Sequence, residues 1–171
     1  MMELRAATLE DEEALRALYA ALDGHHADLQ PGFFRARPRA RAYVHGLVID
    51  EHAEILVAEA DRTILGAITV RLYDTPRDPT MTPRRRVHLD DLIVRAERRR
   101  EGIARRLMEA ATAWARRRGG EQLVLTVWAG NDEALALYDG LGYGEVSRVL
   151  ALDLDAGDVE GEDGPSEDLD R

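Results

Sequence analysis

The sequence predicts a single α/β domain of the α+β type: a mixed, mostly antiparallel sheet flanked by helices. Three observations lead there. Strand-like and helix-like segments follow one another in the order β-α-α-β-β-β-α-β-α-β. Two of the strands, Ile55 to Ala60 and Ile64 to Tyr73, are separated only by a tight turn at Asp61-Arg62, as hairpin partners are. The chain has 171 residues, 45% of them hydrophobic, enough to bury one core without covalent staples.

Each element has its own warrant. Glu3 to Ala7 reads as an opening strand. Thr8, with Asp11 three residues on, comes close to a capping box. The helix it starts carries Ala14, Leu15, Leu18, Tyr19 and Leu22 at helical spacing, and Gly24-His25-His26 is expected to break it. Pro31-Gly32 opens a second segment, Phe33 to Ile49, read as helical but interrupted by Pro38. After the hairpin, residues 74–86 hold Pro76, Pro79, Pro83 and several arginines, and read as a loop. Val87 to Val94 is a strand. Gly102 to Arg118 is an amphipathic helix with Ile103, Leu107, Ala110, Ala111 and Trp114 on one stripe, ended by Gly119-Gly120. Leu123 to Trp128 is a strand, Asn131 to Leu141 a helix stopped by Gly142, and Tyr143 to Leu154 the last strand or strand pair. The domain is therefore expected over residues 1–154. Residues 155–171 contain Gly, Pro, Ser and acids with almost no apolar residues, and are expected to form a disordered tail.

Composition narrows function. The net charge is -10, of which -8 falls in residues 153–171, where nine acidic side chains face only Arg171. That sign argues against nucleic acid as a partner. There is no cysteine, which excludes disulfides, thiolate nucleophiles and Cys-ligated zinc. All 23 basic residues are arginine, which excludes a Schiff-base lysine. No apolar run suits a membrane span and the N-terminus lacks signal-peptide layout, so no membrane partner and a cytoplasmic location are expected. His25, His26 and Asp28 lack a third ligand at convincing spacing, so they read as loop residues and no metal is expected.

The strongest local signal joins the strand 87–94 to the helix 102–118. A strand that turns into a helix N-terminus leaves backbone N–H groups unpaired, and with the helix dipole they form an anion site. Gly102 removes a Cβ from the approach, Ala104 keeps the first turn close, and Arg95, Arg98, Arg99 and Arg100 add positive potential. The glycine pattern is neither a Walker loop nor a dinucleotide fingerprint. Downstream, Asn131 is a good N-cap, and Tyr138 lies seven residues, about two turns, further along the same helix.

Arg99-x-x-Gly102-x-Ala104 resembles the pyrophosphate loop of the GNAT superfamily of N-acetyltransferases, and Asn131, Ala134, Tyr138, Gly142 and Tyr143 resemble its next landmark at matching spacing. The resemblance runs from about Val87 to Val149. It implies a GNAT-like fold with a V-shaped splay between two central strands, here 87–94 and 123–128. It implies acetyl-CoA as cosubstrate, with its pyrophosphate on the amides of Arg99, Arg100, Glu101, Gly102, Ile103 and Ala104. It further implies pantetheine paired like an added strand along Leu92, Ile93 and Val94, Asn131 near the ligand, and Tyr138 as general acid to the departing thiolate.

The implied activity is acetyl transfer from acetyl-CoA directly to the primary amine of a small amine, antibiotic, amino acid or protein N-terminus. A non-catalytic acyl-CoA sensor or interaction module is the alternative, and a homodimer is open because dimers are common in the superfamily. Leu89-Asp90-Asp91-Leu92 is similar to the Leu-Glu-Asp run of polyamine-acetylating members, which implies Asp90 as the base, with Asp91 second. Strict strand alternation would put Asp90 with His88 and Leu92, and Asp91 with Leu89 and Ile93. Phe33, Phe34, Tyr43 and Trp128 read either as acceptor-site wall or as packing, and Arg84-Arg85-Arg86 as a solvated loop.

Overall fold

The computed structural model of the chain describes residues 1–74, 80–152 and 154. The expected tail at 155–171, and residues 75–79 of the expected loop, lie outside the described residues. The elements are β1 (Glu3–Ala6), α1 (Glu12–Leu29), α2 (Arg41–Ile49), β2 (Ala53–Ala60), β3 (Thr63–Asp74), β4 (Arg85–Val94), α3 (Ile103–Arg117), β5 (Gln122–Leu125) and α4 (Asp132–Asp139). The strands form one sheet in the order β1-β2-β3-β4-β5. All pairings are antiparallel except β4 with β5, which is parallel.

The hairpin closes as the sequence indicates. Ala60 pairs with Thr63, and the intervening Asp61 and Arg62 both take left-handed backbone, φ 48° and 62°. Two such residues in succession match the twist of a two-residue hairpin loop. Thr8 and Asp11 form the reciprocal box, with the Thr8 N–H on Asp11 Oδ2 at 2.8 Å, and Arg5 grips the same carboxylate at 2.7 and 2.8 Å.

The sheet divides two hydrophobic cores. On one face α3 lays Ile103, Leu107, Ala111 and Trp114 against Ile68, Val70, Val87 and Leu89. On the other, Leu15, Leu18, Tyr19 and Leu22 of α1 and Val44 and Leu47 of α2 cover Ile55, Val57, Ala67 and Ile93. β3 and β4 approach closely at Gly66, where a Cβ would lie 2.8 Å from the Ile93 carbonyl oxygen. Any side chain there would force the strands apart.

Four expectations need correction. First, α1 does not stop at Leu22 but runs through Gly24, His25 and His26 to Leu29. One glycine costs a helix about 1 kcal/mol, and Leu22, His25, His26 and Leu29 continue one face past it. Second, residues 33–40 are not helical, and α2 begins at Arg41. Pro38 forfeits a backbone donor and its ring excludes the preceding turn. Third, β5 ends at Leu125 rather than Trp128 and is an edge strand rather than a central one. Fourth, residues 143–152 form no strand.

Strict alternation along β4 also fails. Thr69 pairs with Asp91 and Val70 with Leu89, leaving Asp90 as the extra residue of a β-bulge. The bulge shifts the phase of the strand. Leu89 and Val94 pack on the α3 face with Leu92, while Asp91 turns with Ile93 to the α1–α2 face.

Candidate active site

The site begins where β4 and β5 part. Their pairing runs from Arg86 with Gln122 to Leu89 with Leu125 and then stops, although β4 continues to Val94. On its other side β4 stays zipped to β3 as far as Val94 with Gly66. The Arg95 N–H bonds to the Leu65 carbonyl at 2.8 Å, so by the two-residue period Ile93 also faces β3. The N–H and C=O groups of Leu92 and Val94 then face the gap. A cleft of about 410 Å³ occupies it. Leu89 to Val94 form one wall, Thr126, Val127 and Trp128 the other, with α4 behind them. Arg98–Arg100 and Gly102–Arg105 close one end, and Leu22, His25 and His26 of α1 the opposite one.

At the first end the chain curls through Arg100 at φ 66° and Gly102 at φ 78°, both left-handed. Arg106 is the first residue of α3 whose N–H finds a helical acceptor, Gly102 O at 3.1 Å. The N–H groups of Ile103, Ala104 and Arg105 therefore have no partner within the helix, and Gly102 offers no side chain to cap them. A Cβ on Gly102 would meet no protein atom within 4 Å. The arginines are not equivalent. Arg98 is engaged by Glu101 through two bonds of 2.8 Å, which also turns the Glu101 side chain out of the cleft wall. Arg99 and Arg100 make only long contacts, 4.0 and 3.7 Å, to Glu133 on α4. Backbone donors, a helix dipole and two lightly engaged guanidinium groups suit a pyrophosphate.

Asn131 caps α4, its Oδ1 accepting from the Ala134 N–H at 3.2 Å, and it also lines the cleft. Tyr138 is 9% exposed and borders the cleft, its ring 5.6 Å from that of Tyr143. Burial, with the neighbouring Tyr143 phenol, pushes its hydroxyl up to about 12, so it remains a proton donor at neutral pH. That hydroxyl has no hydrogen-bond partner among the described residues, which leaves it available to a ligand.

The two strand acids have different surroundings. Asp90 accepts from His88 Nδ1 at 2.7 Å and from Arg71 Nε at 3.2 Å. Burial raises its proton affinity, but the His88 bond and the Arg71 charge together outweigh this and hold it below the usual carboxylate range. Asp91, 6% exposed, takes two bonds from Arg39 at 3.0 and 2.8 Å and one from the Tyr43 hydroxyl at 3.3 Å. Arg39 also holds Asp23 at 2.9 and 2.7 Å and lies over the rings of Tyr19 and Tyr43. Tyr43 therefore belongs to the Arg39 hub rather than to the cleft wall.

The far end holds groups that the sequence had suggested were loop residues. His25 and His26 sit on α1 and line the cleft. His26 packs against Phe34, which meets Trp128 edge-on at 4.6 Å between ring centres, with Phe33 5.6 Å from Trp128. Gln30 Nε2 bonds the Ala129 carbonyl at 2.9 Å, tying the segment after α1 to the one after β5. Burial, then the neighbouring His25, lowers the His26 proton affinity, so its imidazole is neutral at pH 7. The helical spacing of Leu22, His25 and His26 was the signal that could have found them. Among the described residues no cluster of three or more His, Cys, Asp or Glu could hold a metal, and no helix is long and apolar enough to cross a membrane.

Comparison with known proteins agrees with this geometry. The chain is 32% identical over 87 residues to human N-acetyltransferase 8, an alignment spanning 51% of this chain and 37% of that protein. In solved structures it resembles a mutant form of the BH1408 protein of Bacillus halodurans at 29% identity and a TM-score of 0.85, covering 89% of this chain and 99% of the other. It shares its fold with the aminoglycoside N-acetyltransferase AAC(6')-Iy in complex with CoA, at 18% identity and a TM-score of 0.70, covering 89% and 98%. The profile of the Acetyltransferase (GNAT) family matches residues 12–143, which include both cleft walls and the cradle, and the chain therefore belongs to the GNAT family of acetyltransferases.

Proposed function

We propose that this protein transfers the acetyl group of acetyl-CoA directly to a primary amine. The observation that carries the proposal is the parting of β4 and β5, with the anion cradle and Tyr138 both lining the gap. The pyrophosphate would rest on the amides of Gly102 to Arg105, and the pantetheine arm would pair with Leu92 and Val94 as a substitute strand. The Leu92 and Val94 N–H groups would polarise the thioester carbonyl and stabilise the oxyanion as the amine attacks. When the C–S bond breaks, Tyr138 would give its proton to the thiolate.

Two groups stand for the proton that the amine must lose. Asp90 is the one the sequence favours, but its bonds to His88 and Arg71 make it a weak acceptor that would act through water. His26, neutral at pH 7 and lining the acceptor end, is the better-matched base. The acceptor would enter past Trp128, Phe34 and His26.

The testing experiment pairs calorimetry with acetyl-CoA and thiol release across a panel of amines. Turnover on at least one amine, with Tyr138→Phe binding acetyl-CoA normally but releasing thiol slowly, supports the proposal. Tight acetyl-CoA binding with no turnover on any amine would make the protein an acyl-CoA sensor. His26→Gln and Asp90→Asn then decide the base: the true one loses kcat and its inflection in the pH profile.

A further inference from the structure

We infer that the acceptor is a small monoamine carried on an aromatic ring, an arylalkylamine, and that the cleft turns polycationic amines away. The inference rests on the acetyl-transfer reading of the cleft and names the acceptor class that reading leaves open. Two independent observations carry it. One is a run of aromatic side chains at the acceptor end, and the other is that every cleft carboxylate among the described residues already faces a cation.

Trp128, after β5, and His26, on α1, both line the cleft. Phe34 packs against the two of them, its ring centre 4.6 Å from that of Trp128 and 5.0 Å from that of His26. Phe33 lies 5.6 Å from Trp128 and is 61% exposed, a large apolar ring with most of its surface still uncovered. Such an array attracts a further ring by offset or edge-on contact, an attraction that a saturated ring of the same size lacks. The end is also short. Gln30 bonds the Ala129 carbonyl at 2.9 Å and so ties the segment that carries Phe33 and Phe34 to the one that carries Trp128. That tie leaves a pocket for a compact body rather than a groove for an extended peptide.

Charge selects in the same direction. Among the described residues three carboxylates line the cleft. Asp90 has Arg71 at 3.2 Å and His88 at 2.7 Å, Asp91 has Arg39 at 2.8 and 3.0 Å, and Glu133 lies 3.7 Å from Arg100 and 4.0 Å from Arg99. Arg39 also takes up Asp23, and Asp28 on α1 is exposed and does not line the cleft. Four arginines line the same cleft, so it carries no surplus negative charge among the described residues. A polyamine sheds the charge only of the nitrogen that reacts. Its other ammonium groups would need acids of their own and would find guanidinium groups instead. The acid pair at Asp90 and Asp91 therefore does not select a polyamine, although its run is similar to that of polyamine-acetylating members. A monoamine makes no such demand. Its lone pair forms the C–N bond, the C–S bond breaks, its proton passes to the base, and Tyr138 gives the CoA thiolate its proton. The product is a neutral amide. Burial, then the neighbouring His25, keeps the His26 ring neutral at pH 7, so that part of the pocket suits an uncharged body as well.

The test measures thiol release by the full chain from acetyl-CoA with 2-phenylethylamine, 2-cyclohexylethylamine, spermidine and a short peptide with a free N-terminus. The phenyl amine should exceed each of the others in kcat/KM by about tenfold or more. Trp128→Leu should raise its KM and bring it level with the cyclohexyl amine. Phe33→Ala, which removes an exposed ring, should move the same ratio by a smaller factor. Arg71→Met leaves Asp90 with His88 alone and should raise spermidine turnover relative to the phenyl amine, whereas a merely structural loss would lower both alike. Equal rates on the phenyl and cyclohexyl amines, or faster turnover of spermidine or the peptide, overturn the inference and leave acetyl transfer standing. Ratios that none of the three substitutions moves overturn it as well. If no acceptor releases thiol, the acetyl-transfer reading fails, and calorimetry of 2-phenylethylamine into the CoA-loaded protein decides the pocket separately. Saturable binding that Phe33→Ala weakens supports the aromatic site, and no binding overturns it.

Discussion

Arg39→Met tests whether the acceptor side of the cleft is held by one buried cation. Arg39 joins Asp23 on α1 to Asp91 on β4 through bonds of 2.7 to 3.0 Å, and its guanidinium carbon lies 4.4 Å from the centre of the Tyr19 ring. The Arg39 side chain is 18% exposed and that of Asp91 6%. Methionine fills the stem but leaves Asp91 a buried carboxylate with only the Tyr43 hydroxyl at 3.3 Å. Removing one member of a buried pair costs about 3–5 kcal/mol, most of it the desolvation of the charge left behind. Urea unfolding at pH 7 should show that loss as a lower midpoint at unchanged slope. Adding Asp91→Asn removes the stranded charge and should restore at least half of the loss. The single variant should also raise KM for the amine more than for acetyl-CoA, since Arg39 anchors the segment that carries Phe33 and Phe34. A loss below about 1 kcal/mol, or no recovery in the double variant, would refute the reasoning.

Three further outcomes follow from the same geometry. Tyr138→Phe should lower kcat about a hundredfold with acetyl-CoA affinity unchanged by calorimetry; because burial pushes the phenol up to about 12, the wild-type rate should show no loss of this acid at pH 9. Gly102→Ala should cost about 1 kcal/mol in thermal unfolding, since a residue with a Cβ resists φ 78°, and should weaken acetyl-CoA binding because relaxing that strain moves the turn that presents the Ile103 to Arg105 amides. Asp11→Asn should cost about 2 kcal/mol at pH 7. The Arg5 bonds hold the Asp11 carboxyl below its ordinary 3.8, so that stabilisation is present above 3.8 and is lost as pH falls through the lower folded value. The gap between wild type and variant should therefore narrow in acid.

What the sequence revealed, and what it hid, have physical reasons. The cradle and α4 were legible because a helix start and a cap depend on local residues: Gly102 at positive φ and Asn131 bonding Ala134 are set within one turn. The hairpin turn was legible for the same reason. The bulge at Asp90 was hidden because one extra residue leaves composition untouched. Its trace was the spacing of Val87 and Leu89 against Leu92 and Val94, a step of three where a strand steps by two. The reach of α1 to Leu29 was hidden because Gly24 is a local breaking signal, whereas the helix continues for a tertiary reason: Leu22, His25 and His26 line the cleft. Arg39 finds its partner Asp91 52 positions away, and no pattern in the sequence announces such a partner.

The mouth of the cleft bears Arg98, Arg99, Arg100 and Arg105, and the whole chain bears no lysine. A guanidinium stays protonated with its charge delocalised and does not attack a thioester, whereas an ammonium side chain that lost its proton there would. Under the proposed function, the cations that would meet the acyl donor therefore cannot be acylated by it. The chain has no side-chain amine on which it could be acylated, and any amide formed on a side-chain amine in its presence reports on another molecule.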